Sequence, residues 1–169
     1  MFDTKFAIVL QDDLPVWQKL NVTAFLTSGI VAQYSDIIGE PYRDRAGNIY
    51  NPLSIQPVIV LSADRPTLSA IHRRALDRGV TTSLYVDEMF STGHDAANRA
   101  VFAEFAPDDA KVVGIAVRAE KKLVDKITRG APACIPSARS RLLLCQPLLA
   151  CRQVTIASKV GLCPASHPA

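Results

Sequence analysis

The first 130 residues of this chain contain no cysteine, and no acidic residue follows Asp125. A cysteine-free domain has neither disulfides nor thiolate metal ligands, which excludes a disulfide-stapled scaffold and is typical of reducing compartments. Apolar runs are short as well: residues 6–10 are too few for a secretory signal, and Pro147 interrupts the run at 142–150. We therefore expect a cytoplasmic protein without a membrane segment.

Composition divides the chain near Gly130. Residues 1–130 carry 15 basic and 16 acidic side chains, a net charge of −1, whereas the whole chain of 169 residues has a net charge of +3. The basic excess therefore belongs to residues 131–169, which are also rich in Pro, Ser, Ala and Leu. We predict one α/β domain over residues 1–130 and a low-complexity tail over residues 131–169, either disordered or loosely packed.

All four cysteines lie in that tail, at Cys134, Cys145, Cys151 and Cys163. Their separations match no paired CxxC pattern, and the one histidine of the tail is His167. Structural zinc sites take their four ligands from closely spaced pairs of Cys and His, which this arrangement does not supply. We expect no metal site and no cofactor.

Strand-like and helix-like segments alternate through the first 130 residues. Short runs of β-branched and apolar residues predict four strands, at residues 5–10, 57–61, 81–86 and 111–117. Helical patterns follow the strands, and residues 39–52 predict a hairpin with its turn at residues 44–48. The predicted fold class is α/β: three α/β/α layers around a mixed four-stranded sheet, with that inserted hairpin and an extra helix within residues 89–110.

The first helix is predicted to begin near Pro15, with Asp13 as its cap. One side of this helix carries Val16, Leu20, Thr23 or Ala24, and Ile30 or Val31, and this side is expected to face the sheet. Lys19 lies near the start of the same helix, beside the carboxyl end of the first strand, where open α/β sheets usually bind ligands. The start of this helix is therefore a candidate site.

Several segments together resemble the fold of type II peptidyl-tRNA hydrolases. They are Lys5, residues 13–14 before the first helix, and residues 56–60, 82–87, 113–115 and 123–128. A closer resemblance, through residues 17–25 and 92–98, is to a bacterial family in the same superfamily that is known only as a domain of unknown function. The resemblance covers nearly all of residues 5–130 and implies the hydrolase-like fold and a homodimer.

This resemblance places a few residues on functional positions of the hydrolases. Lys19 lies within one residue of a family lysine, Asp87 falls on a carboxylate at a strand end, and Ser91 or Thr92 falls near a hydroxyl residue. The hydrolases open their first helix with a glycine and lysine cluster, followed by a glutamine and a histidine. In their place this chain has Trp17, Gln18, Lys19, Ala24 and Thr27. Much of the hydrolase signature is therefore missing.

Cleavage of a peptidyl-tRNA ester requires a positioned water, a base, and a group that stabilises the developing oxyanion. On the resemblance, Asp87 would orient or deprotonate the water, Lys19 would stabilise the anion, and Ser91 or Thr92 would hold the water. His94, in the loop before a predicted helix, is a further candidate base. This assignment requires the Lys19 ammonium and the Asp87 carboxylate to open into one pocket.

Each of these residues also has a plain structural interpretation. On that interpretation Lys19 is solvated in the first turn of its helix, Asp87 caps the turn after its strand, and His94 is a surface residue beside a helix cap. Further candidates, for ligand binding, are Asp13, Trp17, Tyr42, Tyr50 and Phe90. If these aromatic side chains surround one cleft, a small apolar ligand is indicated.

Charge weighs against binding of a tRNA backbone, because residues 1–130 do not have the basic excess that phosphate contacts require. Two local basic clusters are typical of solvated helix faces and leave nucleic-acid binding open. They are His72, Arg73, Arg74 and Arg78, and Lys121, Lys122, Lys126 and Arg129.

Two functions follow from these features. The first is a ligand-binding or regulatory module that has lost much of the hydrolase signature. The alternative is a hydrolase of peptidyl-tRNA or of a smaller ester or amide that uses Lys19 and Asp87. The expected partner is a small molecule or a tRNA-derived ligand.

Overall fold

The computed structural model describes residues 2–133. Its helices are α1 (Val16–Gln33), α2 (Arg65–Leu76), α3 (Asp95–Phe102) and α4 (Lys121–Ile127), and its strands are β1 (Thr4–Gln11), β2 (Tyr42–Arg43), β3 (Ile49–Tyr50), β4 (Val58–Ala63), β5 (Ser83–Val86) and β6 (Val112–Glu120). Two 3₁₀ turns, Ser35–Ile37 and Asp87–Ser91, complete the order. The predicted tail lies outside the described residues from Cys134 onward, and with it all four cysteines. Within the described range, no helix combines the length and apolarity needed to cross a membrane.

The main sheet contains four strands in the order β4, β1, β6, β5. Strand β1 pairs parallel with β4 and antiparallel with β6, and β6 pairs antiparallel with β5. The carboxyl ends of β1, β4 and β5 therefore lie along one edge of the sheet. Strands β2 and β3 form a separate antiparallel hairpin, whose turn is closed by the Asp44 carboxylate. The mixed α/β fold, its four-stranded sheet and the hairpin are confirmed as predicted.

Helix α1 packs on one face of the sheet, and α2 and α4 pack on the other. Alternate residues of β1 serve the two faces, since Phe6 and Ile8 join the cluster under α1 while Ala7 and Val9 join the cluster under α2 and α4. All four are fully buried. Burial of a side chain as large as Ile or Phe stabilises a fold by roughly 1.5–3 kcal/mol. Helix α3 contains no buried residue and belongs to neither cluster.

The side of α1 that faces the sheet differs from the predicted one. Val22 and Ile30 are buried, whereas Val16 and Leu20 are 73% and 67% exposed. The helix has apolar residues on two sides, and its close approach to Gly114 of β6 selects between them. A Cβ at Gly114 would lie 2.5 Å from a methyl group of Val22, so a larger residue would push the helix away. Of the two alternatives Ile30 and Val31, Ile30 is buried and Val31 is half-buried, and the prediction was wrong for Val16 and Leu20.

Asp13 does not cap α1, as the sequence had suggested. The cap position is Pro15, and no side chain there accepts a hydrogen bond from the first turn. The Asp13 carboxylate accepts instead from the side-chain amide of Gln11, two residues earlier. Because the helix begins only after Pro15, Asp13 belongs to the turn that follows β1, and the cap prediction was wrong.

Candidate ligand-binding site

A cavity of about 640 Å³ lies between α1, strand β5 and the segment that runs from the 3₁₀ turn at Asp87–Ser91 through α3. Small-molecule sites typically have volumes of about 300–1,000 Å³. Its apolar and aromatic lining consists chiefly of Trp17, Phe25, Leu26, Leu84, Tyr85, Met89, Phe90 and Phe102. Its polar lining consists of Asn21, Ser83, Thr92, His94, Asp95, Asn98 and Arg99. The lining therefore combines aromatic and apolar surface with nearly as many polar side chains.

The cavity forms because α1 lies close to the sheet and α3 does not. Gly29 of α1 lies so near β5 that a Cβ there would collide with the Ser83 hydroxyl. After β5 the chain turns through Asp87–Ser91 into α3, none of whose residues is buried. The two helices therefore form opposite walls, with Tyr85 of β5 in the lining between them.

Four aromatic rings form a continuous chain along the cavity. The Trp17 and Phe90 rings meet edge to face with centroids 6.0 Å apart, and Phe90 lies 5.1 Å from the Tyr85 ring. The Tyr85 ring in turn lies 5.8 Å from that of Phe25. Trp17 and Phe25 are 62% and 51% exposed, so much of their ring surface can still be covered by a ligand.

Tyr85 places a hydroxyl group at this aromatic chain. The side chain is 5% exposed, and no described residue forms a hydrogen bond with its hydroxyl. Burial raises the pKa of the Tyr85 phenol, so the group stays protonated at neutral pH. The hydroxyl oxygen is not among the buried side-chain atoms that lack a partner, so it reaches solvent-accessible space. Tyr85 therefore offers a donor to a molecule in the cavity.

The start of α3 supplies the other polar groups. The Thr92 hydroxyl donates to the Met89 carbonyl over 2.8 Å and also contacts the Asn98 side chain. His94 is the cap of α3, since its Nδ1 accepts from the Ala97 amide over 3.2 Å. That bond requires Nδ1 to be unprotonated, so the neutral ring carries its proton on Nε2. Nδ1 is therefore occupied as a helix cap and does not serve as a free base.

The cavity carries no net formal charge. Among the described residues of its lining, the charged ones are Asp95 and Arg99, and these pair with each other over 2.5 Å across one helical turn. Both side chains are largely exposed, at 75% and 78%. An exposed pair of this kind contributes only about 0–1 kcal/mol to stability, but it removes the attraction that a lone cation or anion would exert on an ionic ligand.

Residues 4–134 match the family DUF2000, described as a protein of unknown function. The chain belongs to the DUF2000 family. A solved structure of a protein of unknown function from Agrobacterium tumefaciens is 67% identical, with a TM-score of 0.79. That match covers 80% of this chain and 100% of the other chain. A comparison with curated proteins finds no significant match. Membership in a family of unknown function is what the closer of the two resemblances implied.

The predicted catalytic residues of this DUF2000 protein are divided between the cavity and the edge of the sheet. Thr92 and His94 line the cavity, whereas Lys19, Asp87 and Ser91 do not. The Lys19 ammonium donates to the Asp12 carbonyl over 2.6 Å. The Asp87 carboxylate lies 3.9 Å from the Arg65 guanidinium. Each group is thus engaged with its own partner, and a shared pocket for the two stays a prediction.

Beside Asp87, a second ion pair lies where β5 ends and β6 begins. The Lys111 ammonium lies 2.8 Å from the Glu88 carboxylate and lowers the pKa of that carboxyl. Arg65 contributes in the same direction. These pairs balance charges along the carboxyl edge of the sheet.

Of the predicted ligand-binding residues, Trp17 and Phe90 line the cavity of the DUF2000 protein and contact each other. Tyr42 and Tyr50 do not line it, because they pair across the separate hairpin. The Tyr50 hydroxyl donates to Asp44 over 2.9 Å. Asp13 also lies outside the lining, in the turn after β1. Tyr42 and Tyr50 therefore lie apart from Trp17 and Phe90, and the condition of four aromatic residues around one cleft is not met.

Sequence reasoning missed Phe25, Tyr85 and Asn98, all of which line the cavity. An available signal was the order of β5 and its turn, where Tyr85 precedes Phe90 by five residues and both are aromatic. His72 was also misjudged as part of a solvated basic face. It is 7% exposed, while its neighbour Arg73 points outward and pairs with Asp108.

Proposed function

We propose that this DUF2000 protein is a ligand-binding or regulatory module, and that its cavity takes a flat, uncharged aromatic molecule with one oxygen that accepts a hydrogen bond. The observation that carries the proposal is Tyr85. Its ring contributes to the aromatic lining, and its solvent-accessible hydroxyl has no hydrogen-bond partner among the described residues.

The aromatic character of the ligand follows from the exposed rings. Trp17 and Phe25 present more than half of their surfaces to solvent beside the buried Tyr85. Covering apolar surface contributes about 25 cal/mol per Å². Aromatic pairs in edge-to-face or offset geometry add about 0.5–1.5 kcal/mol beyond that burial. A flat ring placed against this chain of side chains would gain both contributions.

The absence of charge on the ligand follows from the lining. Asp95 and Arg99 satisfy each other, and the phenol of Tyr85 stays protonated because burial raises its pKa. A carboxylate or an ammonium would lose its hydration without a free counter-charge in the cavity, which is costly. A ketone, amide or ether oxygen, by contrast, would accept from the Tyr85 hydroxyl.

We also propose that the fold belongs to the type II peptidyl-tRNA hydrolase-like superfamily and has lost the hydrolase chemistry. The sheet packed between helical layers is what that resemblance implies, and the missing glutamine and histidine of the first helix favour the loss. The cytoplasmic location and the homodimer are proposals on the same resemblance and on composition. The hydrolase alternative gains no support from Lys19 and Asp87, because their contacts are with Asp12 and Arg65.

The proposal is tested by titrating ¹⁵N-labelled full-length protein with acetophenone and, separately, with ethylbenzene. The chain has one tryptophan, so the indole N–H of Trp17 gives one unambiguous resonance at the cavity. We expect acetophenone to bind about 2- to 10-fold more tightly than ethylbenzene, the gain from one hydrogen bond. In Tyr85→Phe this preference should vanish, while ethylbenzene affinity stays nearly unchanged.

Tyr50→Phe is the matched control, because it removes a tyrosine hydroxyl from the hairpin and not from the cavity. It should retain the wild-type preference. Equal affinity of the wild type for both compounds, or an unchanged preference in Tyr85→Phe, would overturn the proposal. Release of peptide from peptidyl-tRNA by the full chain, lost in both Lys19→Ala and Asp87→Ala, would instead establish the hydrolase.

A further inference from the structure

A second cavity, of about 350 Å³, lies on the opposite face of β5. Its apolar lining comes from α2, from β5 and from the connection between α3 and β6: Leu76, Val80, Leu84, Val86, Phe102 and Phe105. Leu84 and Phe102 also line the first cavity. Strand β5 is an edge strand of the sheet, at the end of the order β4, β1, β6, β5. The two cavities lie on its two faces.

The polar side chains that line this second cavity are His72, Thr81 and Thr82, and His72 is the one that can both donate and accept through a ring. His72 of α2 is 7% exposed and lines the cavity, and no described residue forms a hydrogen bond with its ring. Neither ring nitrogen is among the buried side-chain atoms that lack a partner, so both reach solvent-accessible space. The ring nitrogens of His72 therefore have no described partner and are accessible to a small molecule in the cavity.

The charge state of His72 limits what that partner can be. Burial lowers the pKa of the imidazole, and the nearby Asp108 carboxylate opposes this effect without reversing it. Asp108 is itself paired with Arg73 on the exposed side of α2. The ring is therefore neutral at pH 7 and offers one nitrogen acceptor and one N–H donor. A neutral ring attracts a hydroxyl group more than it attracts an anion.

We infer that this second cavity binds a small phenol-like molecule whose ring lies among the apolar side chains and whose hydroxyl donates to His72. Phe102 and Phe105 supply aromatic surface for the ring. The volume of about 350 Å³ falls near the lower end of the range for small-molecule sites. This site is independent of the first one, because it lies on the α2 face of β5 and uses a different polar group.

Phenol and toluene form a matched pair of probes, since they differ in one hydroxyl and one methyl group. Full-length protein with ¹³C-labelled histidine and phenylalanine is titrated with each compound, and the ring signals of His72 and Phe105 are followed, since Phe105 still reports on the cavity when His72 is replaced. The chain has three histidines, and the spectrum of His72→Phe assigns the signal. We expect phenol to bind about 2- to 10-fold more tightly than toluene, and the two affinities to become equal in His72→Phe.

A second pair of variants keeps the inference testable should His72→Phe fail to fold. Ala106 lines the cavity and is exposed, so Ala106→Phe should fill part of the space and weaken both probes. Ala96 is exposed on α3 outside both linings, and Ala96→Phe should leave binding unchanged. Equal binding of phenol and toluene by the wild type, or shifts confined to Trp17 and the first cavity, would overturn the inference.

Discussion

The two halves of the main sheet are packed in different ways. The half made by β1, β4 and β6 carries helices on both faces, and the central strands are buried almost throughout. The half made by β5 and the following segment carries α1 on one side but is otherwise covered by α3, which buries none of its residues. Cavities lie on both faces of β5. The first half supplies the packed core, and the second supplies the space and polar groups for the proposed binding.

The largest expected effect compares one large side chain from each half. Ile115 of β6 is fully buried, whereas Phe102 of α3 is 42% exposed and borders both cavities. Ile115→Ala should lower the free energy of unfolding by about 2–5 kcal/mol, because it opens a cavity in a packed core. Phe102→Ala should lower it by less than about 1.5 kcal/mol, since the phenylalanine is already poorly packed.

Urea denaturation of the two variants measures this difference directly. The comparison would fail if Phe102→Ala proved as destabilising as Ile115→Ala, because α3 would then be part of the core. Ligand titrations extend the comparison of the two variants. Phe102→Ala should weaken the binding of acetophenone and of phenol, whereas folded Ile115→Ala should bind both with unchanged affinity.

A smaller effect concerns the pH dependence of stability. Because the pKa of His72 is lower in the folded protein than its ordinary value of about 6.5, the unfolded chain binds more protons below that pH. The free energy of unfolding should therefore fall as the pH drops from 7.5 to 5.5. His72→Phe should lose this part of the dependence. Asp108→Asn should increase it, because the Asp108 carboxylate favours the charged imidazole.

Urea denaturation at the two pH values, on the wild type and both variants, provides the test. A wild-type stability that is unchanged between pH 7.5 and 5.5, or that rises as the pH falls, would show that His72 is not held neutral by burial. The second cavity would then present a charged group, and an anionic ligand would replace the phenol.

Local sequence patterns predicted the strands and the hairpin because these depend on neighbouring residues. The β-branched run that became β4 and the Asp44 turn carry their own signals in the chain. The sheet-facing side of α1 depends instead on Gly114, more than eighty residues away, and no periodicity within the helix reveals it. Asp13 was misassigned because Pro15 alone does not show at which residue the helix starts.

The site was harder to predict than the fold, because it depends on packing between distant segments. Thr92, His94, Trp17 and Phe90 were identified, since each stands at a loop or helix end. Tyr85 and His72 were not, because a strand tyrosine and a histidine beside two arginines look like ordinary sheet and surface residues. Both became recognisable only when their burial and their missing hydrogen bonds were known.

Native-state hydrogen exchange on the full chain tests most directly whether binding belongs to the loosely packed half. The account predicts that amides of α3 exchange roughly 100-fold or more faster than those of β1 and β6, since local opening requires much less free energy than global unfolding. It also predicts that acetophenone slows exchange in α3 and in the turn at Asp87–Ser91 without changing β1. Exchange in α3 as slow as in the central strands, or unaffected by the ligand, would contradict it.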